Sequence, residues 1–147
     1  MKVVLYQPEI PQNIGNIGRL CVATQTPLIL IRPLGFHLDS KEIRRAGLDY
    51  WEHLDLTIVD SLEGVLQEHP TSRPWLVSTR GECTYTDVQY NENDLLIFGA
   101  EGAGLPDTIH QRYAEQRIQI PMPGPVRSLN LATSVGIVLY EAYRQLW

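Results

Sequence analysis

Short unbroken apolar runs alternate along this chain with stretches in which apolar residues recur every three or four positions. The runs are Lys2 to Tyr6 (KVVLY), Leu28 to Ile31 (LILI), Leu56 to Val59, Trp75 to Ser78 and Asp94 to Phe98 (DLLIF). Runs of this length, bounded by proline or polar turn residues, predict strands buried in a mainly parallel sheet. Pro8 and Pro11 end the first, Pro27 and Pro33 bracket the second, and the turn from Pro70 to Pro74 introduces the fourth. Between them, Ile14, Ile17, Leu20 and Cys21 keep helical spacing and predict a helix from about Ile14 to Thr24, with Asn13 placed to cap it. Shorter helices are predicted at Ser40 to Ala46, stopped by Gly47, at Leu62 to Glu68 and at Pro106 to Arg112. A last strand begins at Ile118, and a long helix from about Asn130 to Leu146 sets Ala132, Val135, Leu139, Ala142 and Leu146 on one stripe. Strands alternating with helices define an α/β domain, a mainly parallel sheet with helices on both faces. No repeat or low-complexity linker interrupts it, so residues 1–147 read as a single domain.

Composition narrows the picture. The chain has 147 residues, 44% hydrophobic and 20% charged, which fits one soluble domain with a sizeable core. No apolar run approaches the roughly 20 residues of a membrane span, and Val3 to Tyr6 is too short for a signal-peptide core, so a cytoplasmic protein without membrane contact is expected. Cys21 and Cys83 form neither a metal spacing nor a disulfide framework and read as buried free thiols; the four histidines are dispersed, and no metal is expected. The net charge of −5 argues against holding nucleic acid by bulk electrostatics. Ten of the twelve basic residues are arginine, however, and an arginine fork suits phosphate better than a lysine point charge.

Two loops stand out. Gly99 to Leu105 follows a strand and precedes a helix, the place where α/β proteins bind ligands, yet it matches neither a dinucleotide fingerprint nor a P-loop. Glu101 at its centre would repel a phosphate, so the loop suits a ligand with positive charge or hydroxyl donors, or it is a tight turn. The second loop, between Ile118 and the last helix, carries three prolines and Gly124 and then Arg127-Ser128-Leu129-Asn130. Prolines stiffen it, and its polar end sits at the start of the helix. Gly15 and Gly18 in the first helix each cost roughly 1 kcal/mol relative to alanine, which points to close approach by another backbone, either a second chain or a substrate.

Three segments in this order resemble the SpoU branch of the SPOUT superfamily: Asn13-Ile14-Gly15-Asn16-Ile17-Gly18-Arg19, Phe98 to Pro106, and Ile118 to Tyr143. Within that branch the chain is similar, from Val4 to Leu146, to the small bacterial tRNA 2′-O-methyltransferases that modify the wobble nucleotide. The resemblance implies the SPOUT fold with its deep C-terminal trefoil knot, S-adenosyl-L-methionine as methyl donor with S-adenosyl-L-homocysteine as product, a tRNA anticodon stem-loop as substrate, and a homodimer. It implies a cofactor held largely by main-chain groups at Val77, Ser78 and Thr79, at Gly99, Glu101 and Gly104, and at Ile120, Met122, Ser128, Leu129 and Leu131. Small residues Ala132, Ser134 and Gly136 would let the last helix meet a neighbour such as the Gly15/Gly18 helix of a second copy.

For catalysis the resemblance points to Arg19, Arg127 and Tyr140, and for RNA contact to Asn16, Arg44, Arg45 and Asn130. The family assigns Arg19 to drawing off the hydroxyl proton. Because a guanidinium holds its proton in proteins, a phosphate-binding and alkoxide-stabilising role suits Arg19 better. Arg44 and Arg45 stand in RRAGLDYWE, a segment close to the wobble enzymes; the aromatic residues beside them suit RNA as well as a core edge, and the residues alone favour the core edge. One segment departs: the wobble enzymes usually carry Pro-Glu-Thr-Arg where this chain has Ala100-Glu101-Gly102-Ala103. Methylation of another tRNA or rRNA nucleotide, or a non-catalytic RNA- or ligand-binding module, are the alternative readings.

Overall fold

A computed structural model describes residues 1–39, 41, 43, 45 and 49–147. Seven strands, β1 (Lys2–Tyr6), β2 (Leu28–Ile31), β3 (Leu56–Val59), β4 (Pro74–Val77), β5 (Cys83–Thr84), β6 (Leu95–Phe98) and β7 (Arg117–Gln119), form one sheet in the order β3-β2-β1-β6-β4-β7-β5. Every pairing is parallel. Among the described residues, four complete α-helices accompany it: α1 (Pro11–Ala23), α2 (Leu62–Glu68), α3 (Asp107–Arg112) and α4 (Leu131–Leu146). The helix expected over Ser40 to Ala46, and Arg44 with it, lies largely outside the described residues.

Side chains alternate across the pleat, and both sets are apolar. Val3, Leu5, Leu28, Leu30, Leu96 and Phe98 pack with Ile14, Ile17, Val135 and Leu139 of α1 and α4. Val4, Ile29, Ile31, Leu95 and Ile97 pack on the other face with Leu62 and Val65 of α2 and Ile109 of α3. All four residues of β2 and of β6 are buried, the reason these runs show no hydrophobic-polar alternation. Helices therefore cover both faces, as the α/β pattern predicts.

Some local expectations need correction. Asn13 does not cap α1: the helix begins two residues earlier, with Ile10 at the cap and Pro11 in its first turn, where a missing N–H costs nothing. Asn13 is buried and its amide is used elsewhere. The close approach at the α1 glycines comes from the chain itself. A Cβ on Gly18 would stand 3.0 Å from the Trp51 ring, and the Tyr50 hydroxyl donates to the Gly15 carbonyl at 3.0 Å. Gly136 likewise faces Leu20 of α1 within one chain. Cys21 is buried, which pushes its thiol up to about 12, but Cys83 is exposed, because β5 is a two-residue edge strand.

The C-terminal third is tied into the sheet in a particular way. β7 lies between β4 and β5, which are joined by only residues 78–82, and that connection crosses β7 in backbone contact. A Cβ on Gly81 would collide with the carbonyl carbon of Ile118 and stand 2.7 Å from Gln119 N. A loop that precedes β7 in sequence thus lies across it in backbone contact. α4 is then pinned to residues 85–90: Gln145 accepts from Tyr90 N (3.1 Å) and donates to Val88 O (3.1 Å), while Glu141 accepts from Gln145 (2.9 Å).

Candidate cofactor-binding and active site

At the carboxyl ends of β4, β6 and β7 the loops enclose a cavity of about 500 Å³. This is the position where open parallel sheets bind ligands. All eleven residues expected to hold a cofactor line it: Val77, Ser78 and Thr79 after β4; Gly99, Glu101 and Gly104 after β6; Ile120 and Met122 after β7; and Ser128, Leu129 and Leu131 at the start of α4. The 99–104 loop closes on itself, Ala100 and Gly104 bonding each other in both directions (3.3 and 2.9 Å). Only glycine suits its ends. Gly104 has φ +69°, and a Cβ on Gly99 would stand 2.6 Å from the Gly104 Cα.

Of the three residues expected at the chemistry, Arg127 lines the cavity, exposed at its mouth. Arg19 and Tyr140 do not. Arg19 is exposed on α1, its guanidinium 4.8 Å over the Tyr50 ring. Tyr140 is 47% exposed on α4, nine residues or about 14 Å along the axis from Leu131, and its ring meets that of Tyr143 edge-on. Asn130 lines the cavity and caps α4 by accepting from Thr133 N (3.2 Å); Asn16 and Arg45 are exposed away from it. Sequence reasoning did not pick out Ile10, Asn13, Arg80, Phe98, His110 and Ser134, which also line the cavity. Ile10, Asn13 and Phe98 adjoin or belong to the motif segments, a usable signal. Nothing local marks Arg80 or His110.

The rim and floor are electrostatically distinct. Arg80 pairs with Asp107 at 2.6 Å, and this hydrogen bond holds the Asp107 carboxyl below its ordinary range. Arg32, Arg80, Arg117 and Arg144 are each paired with a carboxylate, whereas Arg19, Arg45 and Arg127 have none among the described residues. His110 is only 3% exposed, and its Nδ1 has no hydrogen-bond partner. Burial, helped by the charges of Arg80 and Arg117 and opposed by Asp107, lowers its pKa below the ordinary 6.5. Folding thus favours the neutral ring. That contribution is whole above about pH 6.5 and is lost as pH falls toward and through the folded-state value, because the unfolded chain then takes up a proton the native state refuses. Urea unfolding at pH 7.5 and 5.5 should show the wild type losing stability relative to H110L at the lower pH; an unchanged difference would contradict this.

A parallel sheet with a cavity at its strand ends, walled in part by a glycine-closed loop, is the architecture of a SpoU methylase. The chain belongs to that family: the SpoU rRNA Methylase family model matches residues 1–140. Among its relatives, the tRNA (cytidine(34)-2'-O)-methyltransferase of Escherichia coli K12 is 44% identical over 147 residues, covering 99% of this chain and 94% of that protein. That of Methylovorus glucosotrophus is 42% identical over 144 residues, covering 97% and 94%. A solved structure concerned with the 2-OH methylation of C/U34 on tRNA superposes with a TM-score of 0.94 at 52% identity, covering 99% of this chain and 95% of that one. The AviRb methyltransferase of Streptomyces viridochromogenes, solved with AdoMet, is 27% identical with a TM-score of 0.84, covering 99% of this chain and 60% of its own.

Proposed function

We propose that this chain is a tRNA 2′-O-methyltransferase that moves a methyl group from S-adenosylmethionine to the ribose 2′-hydroxyl of the wobble nucleotide, acting in the cytoplasm as a homodimer. The observation that carries the reading is the convergence of eleven residues from three loops on one cavity. The cavity fits the cofactor chemically. Val77, Phe98, Ile120, Met122 and Leu131 offer apolar surface to a purine, while loop backbone offers donors and acceptors to its edge, the ribose and the amino-acid end. When bound, the cofactor would supply an electrophilic sulfonium methyl group: the ribose O–C bond would form as the S–C bond breaks, with S-adenosylhomocysteine as the leaving group and the hydroxyl proton passing to water at the open side of the cavity.

The protein's part is to orient that hydroxyl and offset the charge developing on its oxygen. Arg127 at the mouth can reach the ribose or its phosphate. Asn16, Arg19 and Arg45, exposed and without carboxylate partners among the described residues, suit the flanking phosphates of an anticodon stem-loop, and Arg44 is assigned with them by sequence alone. Three arginines without a carboxylate partner among the described residues, Arg19, Arg45 and Arg127, thus lie in or near the motif segments, which offers an acidic chain a local surface for RNA. Tyr140 and Arg19 occupy the outer faces of α4 and α1, which pack on each other, so a second copy against that surface would bring them to its own cavity.

Incubation with labelled S-adenosylmethionine and tRNA lacking wobble methylation, followed by digestion, tests the reading. Label on the ribose of nucleotide 34 is the expected result. Label at another nucleotide would keep the reaction and move the target, an outcome to which the Ala100-Glu101-Gly102-Ala103 loop bears directly. Cofactor binding with no label on any RNA would favour a binding module.

A further inference from the structure

The three motif segments also meet in a line of hydrogen bonds in the wall of the cavity. Glu101 accepts from Glu9 N at 2.7 Å on one oxygen, and from Ile10 N at 2.9 Å and Asn13 Nδ2 at 3.1 Å on the other. Asn13, 4% exposed, accepts at Oδ1 from Asn130 Nδ2 at 2.9 Å. Asn130 Oδ1 then accepts from Thr133 N and caps α4. A carboxylate offers only acceptors, so Asn13 must turn its NH₂ toward Glu101 and its oxygen toward Asn130. That in turn fixes Asn130, whose remaining oxygen is left for the helix end. One charge sets the direction of every bond in the line.

We infer that Asn13 is a positioning residue for methyl transfer. It locks the 99–104 loop and the start of α4, which both line the cavity, to the start of α1, the helix that carries Asn16 and Arg19. The cofactor loops and the RNA-facing helix then keep one register. Glu101 and Asn130 serve this lock with their side chains, and meet ligands through their loops' backbone. The inference rests on the methyltransferase reading.

The test cuts the line on either side of Asn13. N13A removes both of its bonds, and N130S keeps a helix cap but is too short to reach Asn13 Oδ1. At saturating cofactor and RNA, each variant should lose about 10- to 100-fold in kcat, the scale of a misplaced reacting group, while still binding S-adenosylhomocysteine. Because both cut one link, the double variant N13A/N130S should lose little more than the worse single. Singles with wild-type kcat and only lowered thermal midpoints would reduce the line to a structural role and overturn the inference. So would a double whose loss is the product of the two single losses. If N13A fails to fold, N130S decides: a lowered kcat supports the inference and a wild-type kcat overturns it. Calorimetry of wild type with S-adenosylhomocysteine comes first, because absence of binding there would strike the functional reading itself, before any variant is compared.

Discussion

Replacing Arg19 with alanine should lower turnover by about 10²- to 10³-fold, the scale of one lost donor to a developing oxyanion, while leaving affinity for S-adenosylhomocysteine unchanged. The two halves of this expectation come from different parts of the structure. Arg19 is not among the residues that line the cavity, so its loss removes nothing from the cofactor site. Its guanidinium is held over the Tyr50 ring at 4.8 Å, and Tyr50 is itself tied to the Gly15 carbonyl, so the cation is oriented outward before any ligand arrives. No carboxylate among the described residues competes for it. Calorimetry with the product and kinetics with an anticodon stem-loop, both at fixed salt, separate the halves. Lysine should restore only part of the rate, since it keeps the charge and loses the fork. A cofactor affinity that falls along with the rate would place Arg19 in the wrong site. If Arg19 serves the cavity of a second copy, mixing R19A with a variant whose own cavity is blocked should recover activity in the mixed dimer that neither parent shows.

How far the sequence speaks depends on the range of the forces involved. β1, β2, β6 and the body of α4 were legible because burial on two faces, or on one stripe, leaves a pattern within a dozen residues. The cavity-lining loops were legible only through the resemblance: loops rich in glycine and proline carry no side-chain pattern that names a ligand. Asn13 shows where local rules mislead. An asparagine before an apolar helical run reads as a cap, but its partners Glu101 and Asn130 stand 88 and 117 residues away, and those bonds decide its place. β5, two residues long, is too short for any periodicity, and it exists because β7 offers it an edge. His110 sits under the cavity only because α3 packs against the sheet there, which no spacing encodes.

Gly81→Ala should cost about 3 kcal/mol or more and abolish cofactor binding. As at Gly99, the atoms that a Cβ would strike here are backbone, which cannot swing aside as a side chain can. A Cβ there meets Ile118 C, Gln119 N at 2.7 Å and Ile118 O at 2.7 Å, where residues 78–82 cross β7. Neither partner can step aside. β7 is fixed by its ladders to β4 and β5, and the crossing loop is anchored by Ser78 N to Ile118 O at 2.9 Å and by Gly81 N to Ser78 O at 3.1 Å. Separating them moves Val77 to Arg80 away from Ile120 and Met122, two walls of the cavity. For a domain of this size the loss corresponds to a thermal midpoint lower by roughly 10 °C. Gly124 supplies the control, since a Cβ there meets nothing within 4 Å and G124A should melt with the wild type. A G81A protein with unchanged melting and cofactor affinity would mean that the crossing is loose, and with it the account of how the C-terminal segment is held in the site.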